Sequence, residues 1–437
     1  MKKLFLLIAL YLVTANLPAQ RPLPGAAQTK SIRIYNVKIH VGNGEFIQNG
    51  EIGFANGKFN YVNDNSKFLP TGNKYDIQID GGGKHIYPGF ILTNSTIGLR
   101  EVDAVRSTLD YDETGDITPE VRSITSYNTD SKIIPTIRFN GVLIAQSTPR
   151  GGLISGQSSI VQLDAWNWED AAITMKDGMH INWPNRNRRI YRDQKTDENT
   201  LKKERNIAIG KIKDLVERTM LYMNETSHAD YNSKCESLIG LFTGTKRLYL
   251  HVNTEKDIIE SVNYFESIGV KKIVLVGAYE AWKITDFIKQ HQLPIILDRI
   301  HELPHNDDDD IKHPYKVAKI LWDAGIVFTF SHDGDMEVMG SRNLPFNAGT
   351  TVTYGLKQEE AVQLITLNAA KILGIDNRLG SIEVGKDATF FVSDGDALDI
   401  MTNQLALAYI NGRQLELKNS QYQLYEMYMG KYGLEIK

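Results

Sequence analysis

Leu248-Tyr249-Leu250-His251-Val252, Ile273-Val274-Leu275-Val276, Ile295-Ile296-Leu297 and Val327-Phe328-Thr329-Phe330 are four short apolar runs of the kind buried on both faces of a sheet. Helical patterns separate them. In the clearest, Ile258, Ile259, Val262 and Phe265 fall on one face between Glu255 and Ile268. Thr254 is placed to cap this helix, Asp257 to complete a capping box and Gly269 to end it. Strands alternating with helices are βα units and predict a parallel sheet, which a (β/α)8 barrel or a doubly wound sheet would satisfy equally. No G-x-G-x-x-G and no P-loop opens any of the units. Pro149-Arg150-Gly151-Gly152 reads as a turn-prone loop, and the polar, Arg/Lys-rich residues 182–206 read as a solvated insertion.

Outside this middle, the period changes. Ile32, Ile34, Val37, Ile39, Val41, Phe59 and Tyr61 alternate with polar residues, and Asn43-Gly44, Asn49-Gly50 and Asn56-Gly57 punctuate them as hairpin turns. Ala388–Val392 and Ala406–Ile410 are short strands at the far end, the second closed by Asn411-Gly412. Neither end carries enough strands to stand alone, so the two are expected to pair with each other. Lys2 and Lys3, the apolar run Leu4–Val13 and Leu17-Pro18-Ala19 read as a secretory signal peptide over residues 1–19. The expectation is an exported protein, periplasmic or secreted, with no membrane anchor.

The 437 residues are 42% hydrophobic, 9% aromatic and 23% charged, which suits a globular chain. With 49 Lys+Arg against 53 Asp+Glu the net charge is −4, so no bulk positive field invites nucleic acid. The one cysteine, Cys235, excludes an intramolecular disulfide and any Cys-rich zinc or iron–sulfur centre.

Tyr87-Pro88-Gly89-Phe90-Ile91 followed by Ile97-Gly98-Leu99 resembles the first barrel strand of the amidohydrolase superfamily, which reads P-G-[LF]-I-D-x-H-x-H there. Arg342-Asn343-Leu344-Pro345, Thr366-Leu367-Asn368-Ala369-Ala370-Lys371, Leu373-Gly374 and Leu379-Gly380-Ser381-Ile382-Glu383-Val384-Gly385-Lys386-Asp387-Ala388 continue the likeness. Order and spacing are similar to the imidazolonepropionase-like branch across most of residues 31–417. The resemblance implies an α/β fold: a (β/α)8 TIM-like barrel over residues 88–377, with a small composite β-sandwich built from both chain ends, 31–87 and 378–417. Residues 418–437 are expected to form a helical tail.

It also implies hydrolysis of non-peptide C–N bonds, cyclic amides above all, by metal-activated water. Here the sequence departs from the pattern. The H-x-H positions are Asn94 and Thr96, the preceding acidic position is Leu92, and the strand-six histidine falls at Val276-Gly277. An amide and a hydroxyl are poor substitutes for imidazole at zinc. His251 matches the strand-five ligand, and Asp333 matches the strand-eight aspartate that touches metal and serves as general base. Against these roles stand a pocket histidine without metal and a polar pocket carboxylate. His301, His305 and His332 are weaker candidates, the first two in a polar loop with Asp307–Asp310 and His313 that could hold a displaced ligand or calcium. At most one divalent metal is expected, zinc by resemblance, with none as the other outcome. The readings are therefore a hydrolase with a degenerate metal site or an inactive relative. The latter would bind a small-molecule ligand, or would partner a metal-competent paralogue or a second copy of itself.

Overall fold

The structure, a computed structural model, describes residues 23–68, 74–186, 197–225, 230–306, 308–334 and 336–436. The leader expected over residues 1–19 lies outside them. No described helix is long and apolar enough to cross a membrane.

The alternating N-terminal residues form β1 (Ile32–His40), β2 (Phe46–Ala55) and β3 (Lys58–Asp64), followed by β4 (Ile77–Asp80) and β5 (His85–Pro88). Asn56-Gly57 makes the β2–β3 turn with both φ angles positive, 52° and 78°, as a tight hairpin of the right twist requires. Asn49-Gly50 does not turn. It lies within β2, where Gly50 faces Val37 and an added Cβ would come within 2.5 Å of Ile39 Cδ1, so this glycine serves close packing. β5 pairs with β1 on one side and, on the other, with β16 (Phe390–Ser393), which pairs in turn with β17 (Leu405–Ile410). Both chain ends thus share one sheet. Ile34, Ile39, Ile52, Phe54, Phe59, Phe390 and Tyr409 are buried together on it, each contributing on the order of 2 kcal/mol by burial.

The middle of the chain supplies β6 (Phe90–Ser95), β7 (Val142–Ser147), β8 (Ile154–Gln157), β9 (Ser159–Gln162), β10 (Ala172–Thr174), β11 (Gly178–Asn182), β12 (Arg247–Val252), β13 (Ile273–Gly277), β14 (Ile295–Leu297) and β15 (Phe328–Phe330). β11 to β15 are parallel neighbours in chain order, and β6 is parallel to β7. Between β7 and β11 the regular βα alternation fails. β9 runs antiparallel to β7, and β8 antiparallel to β11, with only Ser158 between β8 and β9. A parallel crossover takes a dozen or more residues, and the loop 148–153 is too short for one, so the chain folds back. At the other margin Thr93 Oγ1 donates to Phe330 O at 3.0 Å, tying β6 to β15.

The helix Glu255–Ser267 begins as its sequence signals require, with Thr254 Oγ1 accepting from Asp257 N, and Gly269 follows it with φ +90°. Asp257 does not close a reciprocal box. Its buried carboxylate accepts from Thr254 Oγ1, from Arg186 Nε at 2.9 Å and from Arg205 Nη2 at 2.9 Å. The supposed solvated insertion is therefore partly structural: the helix Glu198–Asn224 carries Arg205 and buries Ile209, Ile212, Leu215 and Val216. Residues 187–196 lie outside the described set. A last helix spans Ser420–Tyr432.

Candidate functional site

In a parallel barrel-like sheet, side chains at the C-terminal strand ends converge on one mouth. Here they converge on an arginine. Asn94, near the end of β6, is fully buried in the left-handed region at φ +48°, a conformation Asn tolerates better than most residues. Its backbone N–H donates to Gln146 Oε1 at 2.9 Å. Arg150, just past β7, donates from Nη1 to Asn94 Oδ1 and from Nη2 to Asn94 O, both at 2.8 Å. Nη2 also reaches Glu337 Oε1 at 3.0 Å, and the same oxygen accepts the Thr96 N–H at 2.8 Å. Asp333 Oδ1 stands 3.9 Å from Nη2. Glu337 is buried, and burial pushes its carboxyl above the usual range while the Arg150 charge pulls it back.

His251, on β12, places Nε2 2.9 Å from Nδ1 of His180 on β11. Burial, together with the Arg150 charge, holds His251 down at about 3, so at neutral pH it is uncharged. Burial likewise holds His180 well below its usual value. Asp298, directly after β14, accepts from Ser331 Oγ at 3.2 Å. Burial and the neighbouring Asp333 carboxylate raise its pKa to about 7. His251, Asp298 and Asp333 face a cleft of about 220 Å³ with Asn182, Asn185 and Asn253. At the strand-six position Val276 is buried, and Gly277 at φ +82° leaves room for Asn253 Oδ1, 2.4 Å from where a Cβ would stand.

These residues do not fit a zinc centre. Asn94 and Thr96, at the end of β6, offer an amide and a hydroxyl, and the Asn94 oxygen already accepts from a guanidinium. Its buried Nδ2, without a partner, is a donor and would repel a cation. His180 and His251 spend one nitrogen each on the other. Among the described residues, no group of three His, Cys, Asp or Glu side chains is placed to hold a metal ion.

The weaker candidates stand elsewhere. His332 lies past the end of β15, buried against Gly340, where a Cβ would meet its Nε2 at 2.2 Å. His301 Nε2 bonds Thr350 Oγ1 at 2.7 Å, and the His305 ring stacks on Tyr279 at 3.9 Å. In their loop, Asp309 accepts from Tyr279 Oη and Asn306 Nδ2, and Asp310 pairs with Lys316, so these carboxylates are engaged internally; Asp307 lies outside the described residues. Sequence reasoning missed Arg150, His180, Asp298 and Glu337. The one signal available for Arg150 and Asp298 was position just beyond a strand's C-terminal end; His180, in the middle of β11, gave none.

Strand order and mouth define an α/β protein whose parallel strands deliver their C-terminal ends to one site. A sequence profile described as "Amidohydrolase family" matches residues 260–417. An imidazolonepropionase from Shewanella frigidimarina is 32% identical over 173 residues, 37% of this chain and 34% of that protein. One from Bacteroides fragilis (strain YCH46) is 31% identical over 102 residues, 23% of this chain and 24% of that protein. The matches therefore span about a third or less of these relatives' length. A solved amidohydrolase from Thermotoga maritima superposes with a TM-score of 0.75 over 88% of this chain and 99% of its own, at 22% identity. Residues 260–417 are thus similar to the amidohydrolase family, stretches of the chain are similar to imidazolonepropionases, and its fold is similar to that of a solved amidohydrolase.

Proposed function

We propose that this chain is a member of the amidohydrolase superfamily, on its imidazolonepropionase-like branch, that works without metal and binds a small polar ligand at the mouth. In this reading the two inner sheets form one TIM-like barrel, and the shared outer sheet belongs to a composite β-sandwich. The observation that carries it is Arg150. A guanidinium held by Asn94, Glu337 and the nearby Asp333 supplies fixed positive charge where relatives place metal-ligating side chains. Arginine keeps its proton and offers no vacant coordination position, so it neither generates hydroxide nor polarises an amide as a Lewis acid does. What remains is a cleft of asparagines and carboxylates suited to a small ligand rich in hydrogen-bond donors. The test is metal analysis of protein purified with added zinc, beside turnover of a panel of cyclic amides. Sub-stoichiometric zinc and no turnover are expected; stoichiometric zinc with turnover sinks the proposal.

A second reading, hydrolysis, has one observation in its favour. Asp298 and Asp333 are neighbouring carboxylates at the mouth, one held near neutrality, the form in which a carboxylate can act as general base on water. Turnover unaffected by a strong chelator and lost in Asp298→Asn would favour it. We further propose export through the leader at residues 1–19; the intact mass of protein from its native cells tests this.

A further inference from the structure

The parallel strands have a second concavity at the ends opposite the mouth. The starts of β12 and β13, and the residues leading into β14 and β15, line a cavity of about 600 Å³. Arg247, Lys271, Lys272, Lys289 and Lys371 belong to that lining and, among the described residues, no carboxylate does. The chain as a whole carries −4, so this gathering of cations is a local arrangement. The four lysines are exposed, and among the described residues none of them is ion-paired. Helix dipoles account for two of them. Lys289 and Lys371 stand in the last turns of the helices Thr285–Gln290 and Ala369–Leu373, where a cation is favoured. Lys271 and Lys272 instead lead into β13, and Arg247 opens β12. Arg247 is held in place: its Nη1 lies 3.6 Å from Oδ1 of the buried Asp177, and Gly374, at φ +68°, leaves its guanidinium room, since an added Cβ would stand 1.7 Å from Nη2. Ile288, Leu293 and Ile372, also in the lining, are at most 4% exposed and give the cavity an apolar component. Like charges gathered in this way repel one another and lower stability until a counter-charge arrives.

We propose that this cavity binds a small organic phosphate, with its phosphate groups on the lysines and an apolar body against the buried aliphatic side chains. Size supports it: small-molecule sites run to about 300–1,000 Å³ and combine a largely apolar lining with a few polar groups. Phosphate is favoured over carboxylate because an ammonium meets phosphate oxygens as a point charge, whereas planar recognition of carboxylate uses the guanidinium fork. The guanidinium in this lining already faces Asp177. The site is separate from the mouth, where His251 and Asp333 stand at the other strand ends, and does not depend on what the mouth binds.

Calorimetric titration of the full chain with ATP in magnesium-free buffer tests the proposal, beside inorganic triphosphate and a short single-stranded DNA. Saturable binding of ATP is expected, with an affinity that falls as salt is raised. Triphosphate should bind at least ~10-fold more weakly, because it lacks the apolar body. Lys272→Glu with Lys371→Glu should weaken ATP by at least ~100-fold and leave the melting transition in place, since both side chains are exposed. A control pair outside the cavity, Lys418→Glu with Lys431→Glu, should change ATP affinity by less than ~2-fold. No ATP binding at millimolar concentration overturns the proposal. So does an equal loss in the control pair, triphosphate binding as tightly as ATP, or DNA binding more tightly than ATP.

Discussion

Replacing Arg150 by methionine removes the charge from the mouth and keeps most of the side-chain volume. Three hydrogen bonds go, two to Asn94 and one to Glu337. Glu337, 3% exposed, is left with the Thr96 N–H on the oxygen the guanidinium had shared. An uncompensated buried charge of this kind costs about 3–5 kcal/mol, and we expect about 4 kcal/mol for Arg150→Met in urea unfolding. Glu337→Gln in the same chain should recover more than half, because a neutral amide needs no counter-charge. The sign with pH follows. Burial raises the Glu337 carboxyl and Arg150 opposes the rise, so losing Arg150 raises it further. A carboxyl whose folded pKa is raised is stabilising when protonated and loses that contribution as pH climbs. The defect should therefore deepen from pH 5 to pH 8. A cost below ~1 kcal/mol, no rescue by Glu337→Gln, or a defect that is flat with pH refutes the reasoning.

Asn94→His with Thr96→His should not create tight zinc binding by itself, because Arg150 still faces the new imidazoles; adding Arg150→Ala should, and calorimetric zinc titration of the two variants separates these outcomes. Arg205→Ala should destabilise the fold by about 2–4 kcal/mol in thermal or urea unfolding, since Asp257, 1% exposed, would keep, among the described residues, only the more exposed Arg186 as its cationic partner. His85 is held down at about 4, chiefly by burial and then by the adjacent His40 and Lys38. A depressed histidine contributes stability that is whole above pH 6.5 and is lost as pH falls toward 4, so the melting temperature should decline over that window and decline less in His85→Asn.

What the sequence disclosed about the fold lay in local signals. Thr254 and Gly269 bound the helix Glu255–Ser267, and Asn56-Gly57 and Asn411-Gly412 make turns with positive φ at both residues. Each is decided within a few residues by steric or capping requirements, which is why it can be read without a structure. Asn49-Gly50 has the same letters and a different cause, the approach of Ile39 from a neighbouring strand. The mouth was half legible. Asn94 and Thr96 were singled out and lie buried at the end of β6, and His251 sits at the mouth. Its partner His180 lies on the neighbouring strand and Arg150 in the loop after β7, with Glu337 contributed 187 residues from Arg150. No spacing rule links such residues; only closure of the strands brings them together. Arg150 in particular sits in Pro149-Arg150-Gly151-Gly152, whose composition announces a turn and conceals the ion cluster its side chain completes.

The central claim, that a guanidinium stands in place of the metal, is tested most directly by crystals grown with excess zinc and measured at the zinc absorption edge. The account predicts a well-ordered Arg150 guanidinium within hydrogen-bond distance of Asn94 Oδ1 and Glu337 Oε1, at 2.8 Å and 3.0 Å, and no anomalous peak among Asn94, His251 and Asp333. An anomalous peak at zinc–ligand distance, about 2.0–2.2 Å, from both His251 and Asp333, with Arg150 swung away, would contradict it.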